Sequence, residues 1–438
     1  MVRLAKLTFA IVVVAIIAAG FAVVFRGSLT YVVAKLGGSN IVDMIASLPL
    51  WARIALPAAG GLGAGTIALW IARLRGASGV GFVMEAIVLG RARIPLLRSV
   101  LQAVASWLAI ATGNSLGREG PLIQFGAAAG EGARRWLKLD DVHAPLVLAA
   151  GVAAGFAAAY NAPIAGTLFV LEVVTGVIVL EAAIPVMIAA VIATVVVHVV
   201  SGAAPIYTTR TFAFVDPVEL MAYAALGAVC APIGVGFLRL LSSTEQWWRK
   251  LPMPIRPAVG GALCGGFLCV LPSVAGNGFE EVTGILDGRL AVGAVVLLLI
   301  AKPLATASSV GSGNPGGVFT PTLLIGACTG LLVATGLHAV FGDAIAAPGS
   351  YVLVGLAATL AATTHAPLMS ALLACELSGD YQLVLPLLVA CAIASGVARR
   401  LYIDSVYTAE LTRRGLRWRL TLDGRRVLES QQNSTDVV

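Results

Sequence analysis

Apolar segments recur almost from one end of the chain to the other, and short runs rich in glycine and proline separate them. Several segments are shorter than the roughly 20 residues that a helix needs to cross a bilayer. Short apolar helices broken by glycine-rich loops are typical of re-entrant or discontinuous membrane helices, which line a watery path through protein. The pattern therefore predicts an all-α, polytopic membrane protein. The main apolar segments are Leu7–Phe25, Leu56–Ile71, Leu146–Ala159, Ile184–Val200, Leu220–Leu241, Ala291–Ile300, Leu323–Leu337 and Leu383–Ala398.

The composition supports this class. Hydrophobic residues make up 59% of the 438 residues, and charged residues only 12%, about half the share of a soluble domain. So little polar surface excludes a soluble enzyme, a nucleic-acid-binding module and a disordered scaffold. The net charge of +7 therefore indicates interaction with lipid, and no nucleic-acid partner is expected.

Positive charge collects at the two ends of the chain. Arg3 and Lys6 precede the first apolar segment, which is too long for the apolar core of a signal peptide and is interpreted as a retained span. By the positive-inside rule both termini are cytoplasmic, so the number of crossings is even. The arginines near the C-terminus are Arg399, Arg400, Arg413, Arg414, Arg417, Arg419, Arg425 and Arg426.

The chain also repeats itself at nearly one spacing. Pro57–Gly61 returns as Pro257–Gly261, and Gly117-x-x-x-Pro121 returns at 317–321. Ala162-Pro163, followed by Glu172, returns as Ala366-Pro367, followed by Glu376. Three segments that return in the same order along the chain predict two homologous halves, 1–210 and 211–415. A short cytoplasmic tail, 416–438, follows them. Inverted halves of this kind place a binding site at their interface near the bilayer midplane.

The second repeat pair has the features of an anion site. Gly117-Arg118-Glu119-Gly120-Pro121 precedes the helix-like stretch Leu122–Ala129, and Gly316–Pro321 precedes Thr322–Leu332. Proline is compatible with the first turn of a helix, and the glycines allow close approach of a ligand. Two helix N-termini directed at one volume present unpaired N–H groups and positive dipole ends. Such a site binds an anion without using a full positive charge of the protein, so the ion can also leave.

Glu119 places a carboxylate at the mouth of this site. One interpretation is an N-terminal glutamate that only complements the helix dipole. The alternative, favoured by its position between glycines and before a charge-poor stretch, is a gate that occupies the site or swings out when protonated.

Other chemistry finds little support in the sequence. The six cysteines lie in apolar runs without a CxxC pair, and the four histidines lack ligand spacing. Gly311–Gly316 matches GxGxxG but has no preceding strand, and no P-loop occurs. We expect no catalytic site, no metal site and no cofactor.

These residues resemble the CLC family of chloride channels and proton-coupled chloride antiporters. GREGP at 117–121 and GGVFTP at 316–321 match its two anion-binding loops, and Asp404–Thr408 looks like its pore-tyrosine segment. The resemblance runs from about 50 to 415 and is closest to short bacterial members without cytoplasmic regulatory domains. It implies chloride transport in a bacterial inner membrane by a homodimer with one pore per subunit, with protons as a further possible partner.

The resemblance also implies roles for individual residues. Glu119 resembles the external gating glutamate, and Ser78 and Tyr407 look like the hydroxyl donors to a central ion, together with the amides of Val318 and Phe319. A neutral hydroxyl suits chloride because it binds without trapping. Amides around the following residues are implied to line the external anion site: Arg118, Gly120, Phe319 and Thr320.

Two positions depart from the family pattern. The GSGxP loop reads Ala77-Ser78-Gly79-Val80-Gly81. It keeps the serine, but alanine replaces the first glycine and glycine replaces the proline. Val173 stands where proton-coupled relatives carry an internal glutamate, and Glu172 lies one residue earlier. One residue on an α-helix is a rotation of about 100°. We expect Glu172 to cap or to pack against a polar neighbour, with a proton relay as the alternative.

The sequence thus predicts a chloride pore gated by Glu119, channel-like or weakly coupled to protons. Alternatives are an obligate proton/chloride antiporter, a fluoride exporter, which the retained Ser78 argues against, and a secondary transporter of organic anions. A receptor or structural role is a further alternative, under which Glu119 and the broken helices would have no purpose.

Overall fold

The computed structural model describes residues 2–73, 79–89, 93–207, 217–413, 417–420 and 426–429. The first half contains α1 Val2–Lys35, α2 Ile41–Ser47, α3 Leu50–Arg73, α4 Val80–Leu89, α5 Leu96–Ala111, α6 Glu119–Trp136, α7 Ala144–Tyr160, α8 Pro163–Leu168 and α9 Leu180–Ser201. The second contains α10 Leu220–Trp248, α11 Ile255–Val270, α12 Phe279–Leu286, α13 Val292–Gly311, α14 Phe319–Phe341, α15 Pro348–Thr364, α16 Pro367–Ser378, α17 Val384–Leu401 and α18 Thr408–Arg413.

The predicted helical membrane fold is confirmed. Eight helices in the described residues are long and apolar enough to cross a membrane, and each apolar segment of the sequence matches one of these helical stretches, two of them starting one residue before the helix. Shorter helices lie between them, including α5, α11 and α15. Helices too short to cross on their own are those expected of discontinuous spans.

One feature of the tail was not predicted. Two short strands, β1 Arg417–Leu420 and β2 Arg426–Glu429, pair antiparallel with Arg417 opposite Glu429. The all-α description therefore applies to the membrane part and not to the tail. The alternation Arg-Trp-Arg-Leu is only four residues long, which is too short to distinguish a strand from a loop by pattern.

Two helices form the centre of the molecule. Every residue of α7 from Val147 to Tyr160 is buried, and so is every residue of α15 from Ser350 to Thr364. α7 packs against α6, and α15 packs against α14. Because both central helices are rich in alanine and glycine, neighbouring backbones approach closely, as in other helical membrane proteins. This packing fixes α6 on α7 and α14 on α15.

The repeated segments contact their own counterparts. A β-carbon on Gly61 would lie 2.1 Å from the carbonyl oxygen of Pro257, and one on Gly261 would lie 2.2 Å from that of Pro57. Because each contact occurs a second time with the roles exchanged, the two repeats are related by an approximate two-fold axis between α3 and α11. The boundary predicted near 210 falls at residues outside the described ranges and stays a prediction.

The third repeat pair shows the same exchange. The Glu376 carboxylate accepts hydrogen bonds from the amides of Ile164 and Ala165, at 2.9 and 2.8 Å. The Glu172 carboxylate accepts from the amides of Leu368 and Met369, at 3.2 and 2.7 Å. Each half therefore caps the N-terminus of a short helix in the other half, with a negative charge at its positive end.

Candidate anion site

Two helix N-termini meet at the interface of the halves. α6 begins at Glu119 and α14 begins at Phe319, so the third residue of each helix is a proline, Pro121 or Pro321. The loops before them are joined directly, since Gly117 N–H donates to Gly317 O at 2.7 Å and Gly317 N–H donates to Gly117 O at 2.8 Å. The first amides of both helices therefore face one small volume, which is electropositive because both helix dipoles end there.

The Glu119 carboxylate occupies this volume. Its Oε1 accepts from the Phe319 amide at 2.8 Å, and its Oε2 accepts from the Thr320 hydroxyl at 3.2 Å and the Tyr160 hydroxyl at 3.3 Å. The side chain is 1% exposed. A carboxylate from one half thus caps the helix of the other half.

Glycine is required at the two residues that flank the carboxylate. A β-carbon at Gly317 would lie 1.7 Å from Glu119 Oε1, and one at Gly117 would lie 2.3 Å from Oε2. Any larger residue would exclude the carboxylate from its observed position. The glycines of the two loops therefore leave the space that the Glu119 side chain fills.

Aromatic side chains close the site. Tyr160, at the end of α7, is fully buried, and its hydroxyl also contacts the Thr320 hydroxyl at 3.1 Å. The Tyr160 and Phe319 rings lie 5.2 Å apart, and Phe156 meets Phe319 edge to face at 5.5 Å. Sequence reasoning missed Tyr160. Its only signal was a polar group at the end of an otherwise apolar helix, just before the repeated Ala162-Pro163.

A cavity of about 210 Å³ begins at Glu119 and extends to the end of the molecule where α10 and α17 terminate. Tyr407, 9% exposed, lies in its wall and packs edge to face on Phe169 at 5.6 Å. Gly120 and Val318 also line it. Ser78 lies outside the described residues. Its neighbour Gly79 lines the cavity, and the Gly79 amide donates to Gln124 Oε1 at 2.8 Å.

Of the predicted site residues, Arg118 directs its charge to other partners. The Arg118 guanidinium lies over the Phe279 ring, 5.1 Å from its centroid, and donates weakly to Ala159 O at 3.4 Å. The side chain therefore points away from the cavity. An anion at the helix ends would be bound by backbone amides and hydroxyls, which are neutral ligands.

Glu172 lies away from this cavity, at the cap of α16. Val173, at the position of the internal acid in proton-coupled relatives, is buried in the hydrophobic core and 4% exposed. The segment Phe169–Thr175 is π-helical, so the rotation of about 100° per residue assumed for an α-helix does not describe it. The capping position of Glu172 follows from its two amide partners on α16.

No group of three or more His, Cys, Asp or Glu side chains in the described part of the chain could hold a metal ion. The described cysteines are unpaired, and all but Cys269 are buried.

The fold and the site define a class: a multi-pass membrane protein in which two helix N-termini are paired around a buried carboxylate. The sequence profile of the voltage-gated chloride channel family matches residues 59–399. The chain belongs to this family.

Two related proteins match the sequence over most of this chain. A ClcB-like protein of Ralstonia nicotianae is 39% identical over 403 residues, which cover 89% of this chain and 93% of that protein. The voltage-gated ClC-type chloride channel ClcB of Citrobacter koseri is 36% identical over 378 residues, 84% of this chain and 89% of that one.

Solved structures share the fold. A slow cyanobacterial Cl⁻/H⁺ antiporter superposes with a TM-score of 0.84 at 25% identity, over 93% of this chain and 98% of the antiporter. A CLC-type fluoride/proton antiporter superposes with a TM-score of 0.79 at 22% identity, over 92% and 97% of the two chains. The chain is therefore similar in architecture to antiporters and similar in sequence to proteins named channels.

Proposed function

We propose that this protein moves chloride across the bacterial inner membrane through a pore that the Glu119 carboxylate closes. The observation that carries this proposal is the bond between Glu119 Oε1 and the Phe319 amide, 2.8 Å long. A carboxylate and a chloride ion compete for the same amides and the same dipole end. The pore is closed while the carboxylate is bound and open when it leaves.

Protonation favours opening. A neutral carboxylic acid is held less strongly by a helix N-terminus than a carboxylate is, because the charge that interacts with the dipole is gone. Chloride flux is therefore expected to rise as the pH falls. External chloride should open the pore as well. Chloride competes with the Glu119 carboxylate for the same amides, so a higher chloride concentration displaces the carboxylate by mass action.

Proton coupling is weak in this proposal. Val173 supplies no titratable group, and both carboxylate oxygens of Glu172 are engaged by the α16 amides. Obligate antiport would need another route for the proton. The cyanobacterial structural relative is named an antiporter, so obligate proton/chloride exchange is the second candidate.

Fluoride and organic anions are weaker candidates. Ser78 is the residue that argues against a fluoride exporter, and carboxylates could bind the paired helix ends. Competition of fluoride and acetate with chloride flux separates these substrates from chloride. We further propose a homodimer with one pore per subunit and with both termini in the cytoplasm.

The gate is tested by reconstituting the protein in vesicles and measuring chloride flux between pH 4.5 and 7.5. Glu119→Gln should retain flux and lose most of its pH dependence, because glutamine cannot titrate. The exposed carboxylate of Asp343 provides a matched control, Asp343→Asn, which should behave like the unaltered protein. Loss of all flux in a folded Glu119→Gln protein would show that Glu119 is an anchor and not a gate.

A further inference from the structure

The cavity that reaches Glu119 carries further acidic side chains. Glu410 on α18 and Glu245 in the last turns of α10 line the same space of about 210 Å³. We propose that Glu410 transfers protons between the open end of this cavity and Glu119, so that chloride and protons share one route. This inference rests on the proposed chloride pore and adds a proton donor to it.

Glu410 is held on the cavity wall. It lies three residues after Tyr407, so both residues project from one short stretch into the same space. Its carboxylate is 2.9 Å from the place of a β-carbon on Gly81 and 3.2 Å from that of one on Gly79, where α4 begins. The two glycines thus make room for the carboxylate at the start of α4. The side chain is half-buried, which keeps it close to the pore and within reach of water.

Glu245 marks the outer end of the same cavity. Its side chain is 34% exposed and forms an ion pair with Arg249 at 3.2 Å. Between this rim and Glu119 the wall carries the hydroxyls of Ser242, Tyr402 and Tyr407, and Ser242 Oγ and Tyr402 OH lie 3.4 Å apart. Groups that donate and accept protons therefore extend from the surface inward.

Gln102 indicates water in the cavity. Its side chain lines the wall, and its Oε1 is buried without a hydrogen-bond partner among the described residues. A carbonyl oxygen accepts hydrogen bonds and cannot bind chloride. A buried acceptor without a partner is costly, and water is the molecule that normally satisfies it. The same wall thus offers amides and hydroxyls to an anion and an acceptor to water.

The proton step is a simple transfer along such water. The O–H bond of protonated Glu410 breaks, its electron pair stays on the Glu410 oxygen, and a water molecule takes the proton. That water releases one of its protons to the Glu119 carboxylate, where a new O–H bond forms. The next proton from the cytoplasmic solution restores Glu410.

Other charged groups surround Glu410. The titratable described residues that line the cavity with it are Glu119, Glu245, Tyr402 and Tyr407. α4, the helix packed against α18, contributes Glu85, and Arg249 adds positive charge beside Glu245. Of the carboxylates in the cavity wall, Glu410 lies on α18, which begins one residue after Tyr407, and Glu245 lies at the rim beside Arg249.

The test measures the ratio of proton flux to chloride flux in vesicles under a chloride gradient. Glu410→Gln should lower this ratio by about tenfold or more, the effect expected when a positioned acid is lost. Glu410→Asp, which retains a carboxylate, should restore much of it. Glu172→Gln is the control and should leave the ratio unchanged.

Gln102→Leu gives an independent readout if Glu410→Gln does not fold. Replacing the acceptor with an apolar side chain should dry the wall and also lower the ratio. An unchanged ratio of proton flux to chloride flux in Glu410→Gln overturns the inference. If Glu410→Gln does not fold, an unchanged ratio in Gln102→Leu overturns it. So does an unaltered protein that moves chloride without any protons. An unaltered protein that moves no chloride refutes the proposed pore instead.

Discussion

At the scale of single residues, the site depends on a carboxylate and the absence of two β-carbons. Glu119 can bind the Phe319 amide only because Gly117 and Gly317 leave its oxygens room. The clash at Gly317 would be with the mobile end of a side chain, so the carboxylate can yield without disturbing the backbone. In the proposed gate, steric space therefore matters as much as charge does.

Gly317→Ala should hold the gate open. The new methyl group would lie where Glu119 Oε1 now lies, so the carboxylate is displaced and chloride flux at pH 7.5 approaches that at pH 4.5. Chloride efflux from vesicles at both pH values measures this. Gly132→Ala, on α6, is the control, since its β-carbon would have no neighbour within 4 Å. Retention of full pH dependence in Gly317→Ala would contradict the observed position of the carboxylate.

At the scale of secondary-structure elements, the reciprocal caps join the two halves. α8 and α16 begin at equivalent prolines, and each receives the glutamate of the other half at its first amides. The charge is stabilised by two N–H groups and by the helix dipole. An acid inside the membrane segment is usually functional, but here its hydrogen bonds give Glu172 a structural role.

Glu376→Ala should destabilise the protein by about 1–2 kcal/mol, the usual cost of losing a helix cap. Glu376→Gln should cost less, because the amide oxygen still accepts one hydrogen bond. The unfolding temperature in detergent ranks the stability of the variants. It is measured as the temperature at which monodisperse protein is lost. If Glu376→Ala unfolds at the same temperature as the unaltered protein, the caps contribute little.

At the scale of the whole molecule, the approximate two-fold axis brings backbone against backbone. Gly61 and Gly261 pack on the carbonyl groups of Pro257 and Pro57, while Asn114 and Asn314 each donate to one of these carbonyls at 3.1 Å. Those asparagines lie just before the anion-site loops. Packing at the axis and the position of the helix ends are therefore coupled through two equivalent hydrogen bonds.

Gly261→Ala should be strongly destabilising, by about 1–3 kcal/mol or more, because a methyl group there meets rigid backbone and cannot be relieved by a side-chain rotation. Gly266→Ala on the same helix, where a β-carbon would have no neighbour within 4 Å, should be harmless. Yield of monodisperse protein and the unfolding temperature compare the two. Equal behaviour of both variants would show that α3 and α11 do not approach as closely as described.

The sequence by itself determined the class of protein and indicated that Glu119 lies at the start of a helix. Apolar runs predict membrane helices because the bilayer leaves no other partner for backbone groups. The repeated Gly-x-x-x-Pro loops predict paired helix N-termini, and the lone glutamate in one of them identifies Glu119. These properties are local, so pattern and spacing are sufficient to find them.

Only the tertiary structure decided which groups these residues meet. Glu119 binds an amide 200 residues away, and Glu172 binds one 197 residues away. The packing of α7 places the Tyr160 hydroxyl on Glu119, and the packing of α18 places Glu410 in the cavity wall. Contacts between distant segments depend on how the two halves pack, and the spacing of residues along one chain does not contain that information.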